Sequence, residues 1–351
     1  MKDTAWENFK TVARLEKTSQ VPVALIVDSP WLPGYAGIDT REYFLYPERW
    51  LEINKRLLID FPGIVWIPGF WVEYGMAIEP SAFGARLHFH ADRPPSVEPV
   101  YPDLDFWAQV KPANPNEDGL MPLVLFLNRK LDQQLSAEGL GIRMAAARGP
   151  LTTASWLVGV TQLMEGMLTH PEQITRLLET ITTTLIDWLQ AQLDAISQPQ
   201  GVLLLDDLVG MVSRRTYQAM VAPHLQRIFR QFEGLLRVYH NDTPCMHLMG
   251  DLTEAGFQVL NFSHELPLAD VIAKTQGKLA LMGNVPPLQI GVFGSPEQVY
   301  QAATECLKNG VAGHLILSFG GGVSPGTPPE NIAALWQAAQ DWGTSAAGKE
   351  T

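Results

Sequence analysis

Three side chains that can bind a metal ion or carry a proton follow one another near the middle of the chain. The segment LLRVYHNDT (residues 235–243) begins with apolar, strand-like sequence and runs directly into His240, Asn241 and Asp242. Residues two apart on a strand point to the same side, so His240 and Asp242 can face one site. Histidine with carboxylate suits zinc at neutral pH. A hydrogen-bonded histidine beside a turn aspartate explains the same pattern, so the spacing leaves both interpretations open.

Two further pairs of carboxylates lie near the ends of other apolar runs. Asp206 and Asp207 follow GVLLL, and adjacent residues on a strand point in opposite directions, so we take Asp207 as the pocket residue and Asp206 as a cap for the next helix. Glu73 and Glu79 lie in the apolar loop GFWVEYGMAIEPSAFG. Burial there would raise the pKa of a carboxyl group and favour a proton donor or a metal ligand. Pairing with basic groups at the surface is the alternative for both glutamates.

The elements that would position these residues are eight short apolar runs, each of which stops at glycine or a polar residue. Such continuous runs are typical of strands buried on both faces. Helical patterns lie between most of them, over residues 40–61, 171–196, 295–310 with Ser295 as N-cap, and 327–343 with Thr327 and Glu330 as a capping box. The eight runs are residues 22–28, 63–69, 142–149, 201–207, 235–242, 257–262, 278–284 and 313–320.

This alternation predicts an α/β protein, a single-domain (β/α)8 TIM barrel over residues 1–345, with residues 346–351 as a disordered tail. An open doubly wound sheet is the alternative. The count of eight runs and the absence of a Gly-x-Gly-x-x-Gly turn after the first run favour the barrel. Residues 85–141 are rich in proline and acidic residues and have little periodicity, so we predict a long insertion there that covers one rim.

The active site of such a barrel lies where the strands end, in the loops that lead to the helices. This rule adds candidates for substrate binding to the residues above. Charged and amide groups would orient a substrate, and aromatic groups would form an apolar pocket wall. These candidates are Asp28, Trp31, Trp71, Tyr74, Arg148 and Asn284.

Composition and charge exclude several classes of protein. The 351 residues are 46% hydrophobic and 18% charged, and the net charge of -12 disfavours nucleic acid and anionic lipid as partners. The polar first ten residues lack the apolar stretch of a signal peptide, and no apolar run approaches the ~20 residues of a membrane span. Two cysteines, Cys245 and Cys306, argue against a disulfide framework. We therefore predict a cytoplasmic protein.

Several segments together resemble the uroporphyrinogen decarboxylase superfamily. RGPLTTASWLVGV (residues 148–160) resembles its Gly-x-Pro-x-Thr-x-Ala-Ser segment, and LLLDDLVGMVSRRTYQAMVAPHLQRI (residues 203–228) resembles its Asp-x-x-x-Gly block. LMGNVPP (residues 281–287) matches its Gly-Asn-x-x-Pro turn, and LILSFGGGVSPGTPPENIAAL (residues 315–335) resembles its C-terminal signature. The resemblance spans nearly the whole chain in the same order and implies the barrel that the count of runs predicts independently.

The resemblance implies one of two chemistries. True uroporphyrinogen decarboxylases carry an Arg-Gln-Ala-Gly-Arg motif after the first strand, where this chain reads VDSPWLPGYAGI, with no arginine before Arg41. Their catalytic aspartate is also missing, and Gly75 with the nearby Glu73 lies at its place. An acidic protein without those arginines is poorly suited to an octa-acidic tetrapyrrole. These departures count against uroporphyrinogen decarboxylation.

The second chemistry is methyl transfer between a corrinoid protein and a thiol or a methylated substrate. In the thiol-directed members that the chain resembles, a His-x-Cys pair and a later cysteine bind zinc. Here the pair reads His240-Asn241-Asp242, and Gly321 stands at the place of the later cysteine. Oxygen ligands are less suited to activating a thiolate. They fit a metal or proton acting on an ether or amine leaving group, as in the demethylating members.

We therefore predict a methyltransferase-like enzyme that moves a methyl group between a small methylated compound and a corrinoid protein. Catalysis would rest on His240, Asp242, Asp207 and Glu73, and zinc on His240, Asp242 and Glu79. The corrinoid would come on a separate partner protein, because the chain has no Asp-x-His-x-x-Gly motif. The resemblance also implies a homodimer. A decarboxylase of a porphyrinogen or small acid and a non-catalytic binding barrel are the alternatives.

Overall fold

The computed structural model describes residues 4–100, 103–107, 109–310 and 313–347. Eight of its ten strands coincide with the eight predicted runs, with β9 extending one residue beyond its run, and the other two, β3 and β4, form an antiparallel pair of their own. The strands are β1 (Val23–Ile26), β2 (Ile64–Ile67), β3 (Arg86–His88), β4 (Ser96–Glu98), β5 (Met144–Arg148), β6 (Gly201–Leu205), β7 (Leu236–Asn241), β8 (Val259–Phe262), β9 (Ala280–Val285) and β10 (His314–Phe319).

The eight-stranded sheet has the order β2-β1-β10-β9-β8-β7-β6-β5, and each of its paired neighbours is parallel. It curves into a nearly closed barrel, which confirms the predicted single-domain TIM barrel. The helices are α1 (Thr4–Ala13), α2 (Leu32–Ala36), α3 (Thr40–Leu45), α4 (Pro47–Asp60), α5 (Ile78–Ala82), α6 (Leu104–Trp107), α7 (Met121–Ala137), α8 (Pro150–Val158), α9 (Val160–Thr169), α10 (Pro171–Asp194), α11 (Arg214–Thr216), α12 (Ala222–Gln231), α13 (Met249–Leu252), α14 (Leu268–Thr275), α15 (Pro296–Gly310) and α16 (Pro329–Ala347).

The barrel interior is filled with apolar side chains at its amino end and with polar side chains at its carboxyl end. Inward-facing strand residues pack with Trp6, Phe9 and Val12 of α1 in one buried cluster, so α1 closes the amino end. The alternation that turns these strand residues inward continues to the last residues of the strands. It places four buried polar residues in the uppermost inward layer: Arg148, His240, Asn261 and Ser318.

The predicted insertion over residues 85–141 is shorter than expected. The hairpin of β3 and β4 does contact a loop that follows a barrel strand, since Pro94 lies against Gly75, and Val100 after the hairpin donates its N–H to the Leu157 carbonyl of α8 at 2.8 Å. However, α7 occupies residues 121–137 and is a regular helix with one buried face. The pattern was misread because Pro122 suggests a loop, whereas proline is well tolerated in the first turn of a helix.

Two other local predictions differ from the structure. The helix expected over residues 40–61 is divided into α3 and α4 at Tyr46, which is extended because the residue before a proline avoids the helical region. The Thr327 capping box does not form, since the Thr327 hydroxyl donates to the Ser324 carbonyl at 2.8 Å and α16 begins at Pro329. Of the predicted tail, residues 346 and 347 belong to α16, and residues 348–351 lie outside the described residues. Among the described residues, no helix combines the length and hydropathy needed to cross a membrane.

Candidate functional site

The centre of the site is a group of three ionisable side chains at the carboxyl ends of two paired strands. Ligand-capable atoms of Asp207, His240 and Asp242 all lie within 4.8 Å of one another. His240 Nε2 is 3.3 Å from Asp207 Oδ1, and the same oxygen accepts the backbone N–H of Asp242 at 3.2 Å. The register of β6 on β7 sets this contact, because it pairs Leu205 with His240. The structure therefore brings together three of the predicted catalytic residues.

Charge interactions within this group determine its protonation. Burial alone would lower the pKa of His240, but the carboxylates of Asp207 and Asp242 and the hydrogen bond with Asn261 raise it to about 9. Burial would raise the pKa of Asp207, yet the charge and hydrogen bond of His240 hold it at about 2. The pKa of Asp242 is raised by burial and by the charge of Asp207. At neutral pH His240 and Asp207 therefore form an imidazolium–carboxylate pair.

Asn261, which the sequence analysis missed, contacts His240 from the other side. Its Oδ1 lies 2.6 Å from His240 Nδ1, and its Nδ2 donates to the carbonyls of Met282 at 2.8 Å and Phe319 at 3.0 Å. The residue is fully buried on β8, and the register places it beside His240. The available signal was the one amide within the apolar strand sequence VLNF (Val259–Phe262).

Arg148 forms a second centre on the inward side of β5. Its Nη2 lies 3.8 Å from Asp28 Oδ2 and donates to the Gly75 carbonyl at 3.3 Å, and its guanidinium lies 5.2 Å from the centre of the Trp71 ring. Burial raises the pKa of Asp28, and the positive charges of Arg148 and His240 oppose that rise. The Nε–H of Arg148 is buried and has no hydrogen-bond partner among the described residues.

The two loop glutamates have different positions from those predicted for ligands. Glu73 accepts the N–H and the hydroxyl of Ser29, at 2.8 and 3.1 Å, and the N–H of Gly75, while burial and then the charge of Asp28 raise its pKa to about 7. Glu79 accepts the N–H of Arg148 at 2.9 Å, and burial raises its pKa. Neither belongs to the group around His240. The group that could hold a metal ion contains Asp207 and not Glu79.

The remaining predicted substrate-binding residues are engaged in the framework of the site. Trp31 is buried and its Nε1 donates to the Thr327 carbonyl at 2.8 Å. The Tyr74 ring stacks on Phe44 with 5.2 Å between centres. Asn284 donates from Nδ2 to the Leu266 carbonyl at 2.7 Å.

Asp206 holds the start of α8. Its carboxylate accepts the N–H groups of Leu151 at 3.2 Å and Thr152 at 2.8 Å and the Thr152 hydroxyl at 2.8 Å, while burial raises its pKa to about 7. It therefore caps the helix after the neighbouring strand β5, not the next helix in the chain. A Cβ at Gly149 would lie 2.4 Å from the Asp206 side chain, which explains the glycine in this segment.

Gly321 lies against the central group without adding a ligand to it. A Cβ at this position would be 3.5 Å from Asp242 Oδ2, and the backbone has φ +136°, which side-chain-bearing residues rarely adopt. The position at which the sequence resemblance implies a cysteine thus faces Asp242 and carries no side chain. The donor set consists of one imidazole and two carboxylates.

Fold and site together define a TIM-barrel protein with ionisable groups at the carboxyl ends of its strands. The family model described as Uroporphyrinogen decarboxylase (URO-D) matches residues 7–342, and the chain belongs to this family. The family takes its name from an enzyme, uroporphyrinogen decarboxylase.

Curated relatives at low identity carry the name uroporphyrinogen decarboxylase. One from Synechococcus sp. is 25% identical over 242 residues, which are 65% of this chain and 65% of that relative. One from Thermus thermophilus is 30% identical over 247 residues, 66% of this chain and 67% of the relative. The chain thus matches about two thirds of the length of each.

Two solved structures show the same fold. A methyltransferase from Methanosarcina mazei has a TM-score of 0.83 at 20% identity, covering 96% of this chain and 98% of that one. A B12-independent methionine synthase from Shewanella sp. has a TM-score of 0.53 at 13% identity, covering 76% of each chain. At these identities the similarity concerns the fold alone.

Proposed function

We propose that the chain is a methyltransferase-like enzyme that moves a methyl group between a small methylated compound and a corrinoid protein. The observation that carries this proposal is the group of Asp207, His240 and Asp242 at the barrel mouth. Breaking a carbon–oxygen or carbon–nitrogen bond requires an acid or a metal at the departing atom, because an alkoxide or amide is a poor leaving group. This group can supply either one.

Asp207, His240 and Asp242 fit a divalent cation such as zinc. His240 presents only Nε2 to the carboxylates, because Nδ1 faces Asn261, and a ligating histidine typically has such a partner on its other nitrogen. Three protein ligands leave a fourth position free for substrate. A bound zinc ion would polarise the departing oxygen or nitrogen as a Lewis acid.

The chain's own residues can also act at the leaving atom directly. When no metal is bound, the His240 imidazolium donates its Nε2 proton to the departing oxygen or nitrogen as the methyl group passes to the acceptor. Asp207 stabilises the positive charge of His240 beforehand. The unpartnered Nε–H of Arg148 is available to an acceptor oxygen of the substrate, and Asp28 holds the guanidinium in place.

Decarboxylation is the second candidate, and the names of the curated relatives favour it. The charges at the mouth count against a porphyrinogen with many carboxylates. Four acidic side chains, Asp28, Glu73, Asp207 and Asp242, surround the two positively charged ones, Arg148 and His240. A polyanion is recognised by an excess of arginine and lysine.

A direct assay distinguishes the two activities. We expect the protein to methylate reduced free cobalamin from at least one member of a panel of methoxylated and N-methylated compounds, followed by the visible absorption spectrum of methylcobalamin. The same preparation is given uroporphyrinogen, and products are separated by the number of carboxyl groups. Loss of carboxyl groups without any methyl transfer would contradict the proposal in favour of the decarboxylase.

Metal binding gives a second prediction. We expect about one zinc ion per chain in the wild type and none in His240→Ala, measured by elemental analysis after zinc is supplied to the untagged protein. Binding at pH 7 should release about one proton per zinc, because the pKa of His240 is about 9 in the metal-free protein. The number of protons released per zinc should fall to zero as the pH rises through 9, since Nε2 has then already lost its proton.

The matched control for this experiment is His314→Ala, which removes a histidine at the amino end of β10, remote from the mouth. It should keep the zinc content of the wild type. Absence of zinc from the wild type, or equal zinc in wild type and His240→Ala, would refute a metal site at this group.

A further inference from the structure

We propose that Asn261 is a positioning residue that keeps a proton on His240 Nδ1, so that Nε2 is the atom offered to a metal ion or a substrate. The inference rests on the proposed role of His240 and names the residue that prepares it. Its basis is the hydrogen bonding of the Asn261 amide, which leaves one arrangement of protons around His240.

The direction of the Asn261 amide is determined by its other neighbours. Nδ2 lies 2.8 Å from the Met282 carbonyl oxygen and 3.0 Å from the Phe319 carbonyl oxygen, and both oxygens can only accept. A flipped amide would place Oδ1 against these two carbonyl oxygens, which repel it. The two N–H bonds of Nδ2 would then point toward His240 and lose both carbonyl acceptors. Oδ1 therefore points at His240.

The orientation of the Asn261 amide in turn determines which nitrogen of the His240 ring carries a proton. An amide oxygen carries no proton, so the 2.6 Å contact with His240 Nδ1 requires a proton on that nitrogen. When the ring is neutral, its single proton is on Nδ1 and the Nε2 lone pair faces Asp207. Without Asn261, the carboxylate of Asp207 is the stronger acceptor and would draw the proton to Nε2. Nε2 would then be blocked as a ligand or a proton acceptor.

The placement of Asn261 gives it the rigidity that this role needs. It is fully buried on β8, it is paired in register with His240 on β7 and Met282 on β9, and it bonds to Phe319 on β10. The amide thus connects four strands through a side chain whose two polar atoms are both bonded. An unpaired amide in this inward layer would be costly, so its partners hold it in one orientation.

The test is the nitrogen-15 spectrum of the His240 ring in metal-free protein labelled at histidine. The chain has eight histidines, and the His240 signals are assigned by their loss in His240→Gln. At the high-pH plateau of these signals, where the ring is neutral, we expect the wild type to carry its single proton on Nδ1. In Asn261→Leu we expect the proton on Nε2, with zinc affinity lower by about 10- to 100-fold.

A control separates this role from a general loss of packing. Asn54→Leu removes another buried asparagine, one that donates to the Trp50 carbonyl on α4, and should leave the His240 spectrum unchanged. If Asn261→Leu does not fold, the wild-type spectrum still decides the matter.

A proton on Nε2 in the neutral wild type would overturn the inference, and so would an unchanged tautomer in folded Asn261→Leu. The position of the proton is measured without substrate, corrinoid or zinc. A failure of methyl transfer or of zinc binding is therefore distinguishable from a failure of this inference.

Discussion

Replacing His240 with alanine is expected to lower methyl transfer by about 10³-fold or more while leaving the barrel folded. The substitution removes the Nε2 atom that faces Asp207 and Asp242, and with it both the proton donor and the nitrogen ligand. His240→Gln is the companion variant, because its amide can still donate to Asp207 but cannot ionise. Turnover is measured in the cobalamin assay, and folding by circular dichroism and thermal unfolding.

A control variant and the folded state of the His240 variants distinguish a role in catalysis from a role in the fold. His314→Ala should retain turnover, because its side chain is at the opposite end of the barrel. Wild-type turnover in His240→Ala would refute the site assignment. Loss of turnover that is matched by loss of the folded state in both His240 variants would instead make His240 a structural residue.

Asp206→Ala should mainly lower the stability of the protein, whereas Asp207→Ala should mainly lower zinc binding and turnover, although the two residues are adjacent. Asp206→Ala removes the acceptor of three buried donors at the start of α8, and should lower the free energy of unfolding by about 3 kcal/mol or more. Asp207→Ala removes a partly exposed carboxylate from the central group, and should abolish zinc binding and most turnover with a smaller loss of stability. Urea unfolding and zinc titration of both variants measure the two effects.

Asp206→Asn serves as the control, because it keeps an oxygen acceptor for the Thr152 N–H and should recover part of the stability lost in Asp206→Ala. The reverse pattern, with Asp207 dominating stability and Asp206 dominating zinc binding, would contradict the assignment. Equal effects of the two substitutions on zinc binding would also contradict it, since the Asp206 carboxylate is directed to α8.

The local pattern of apolar and polar residues was sufficient to predict most of the barrel. Each of its eight strands is buried on both faces, so the sequence reads as short continuous apolar runs, and such runs separated by helical patterns have few stable arrangements. The rule that active sites lie at the carboxyl ends of barrel strands then singled out Asp28, Arg148, Asp207 and His240. The same local reasoning failed at α7, where a proline in the first turn of a helix has the appearance of a loop.

The sequence alone therefore determined the class of fold, the end of the barrel where a site is expected, and most of the ionisable residues that the structure places at that end. It did not determine which carboxylate faces His240, because that depends on the register of β6 on β7, a relation between segments about 35 residues apart. For the same reason it did not place Asp207, in preference to Glu79, in the candidate metal-binding group with His240 and Asp242. Sequence motifs did not identify Asn261 as a site residue. Its proximity to His240 depends on the pairing of β7 with β8, which the sequence does not show.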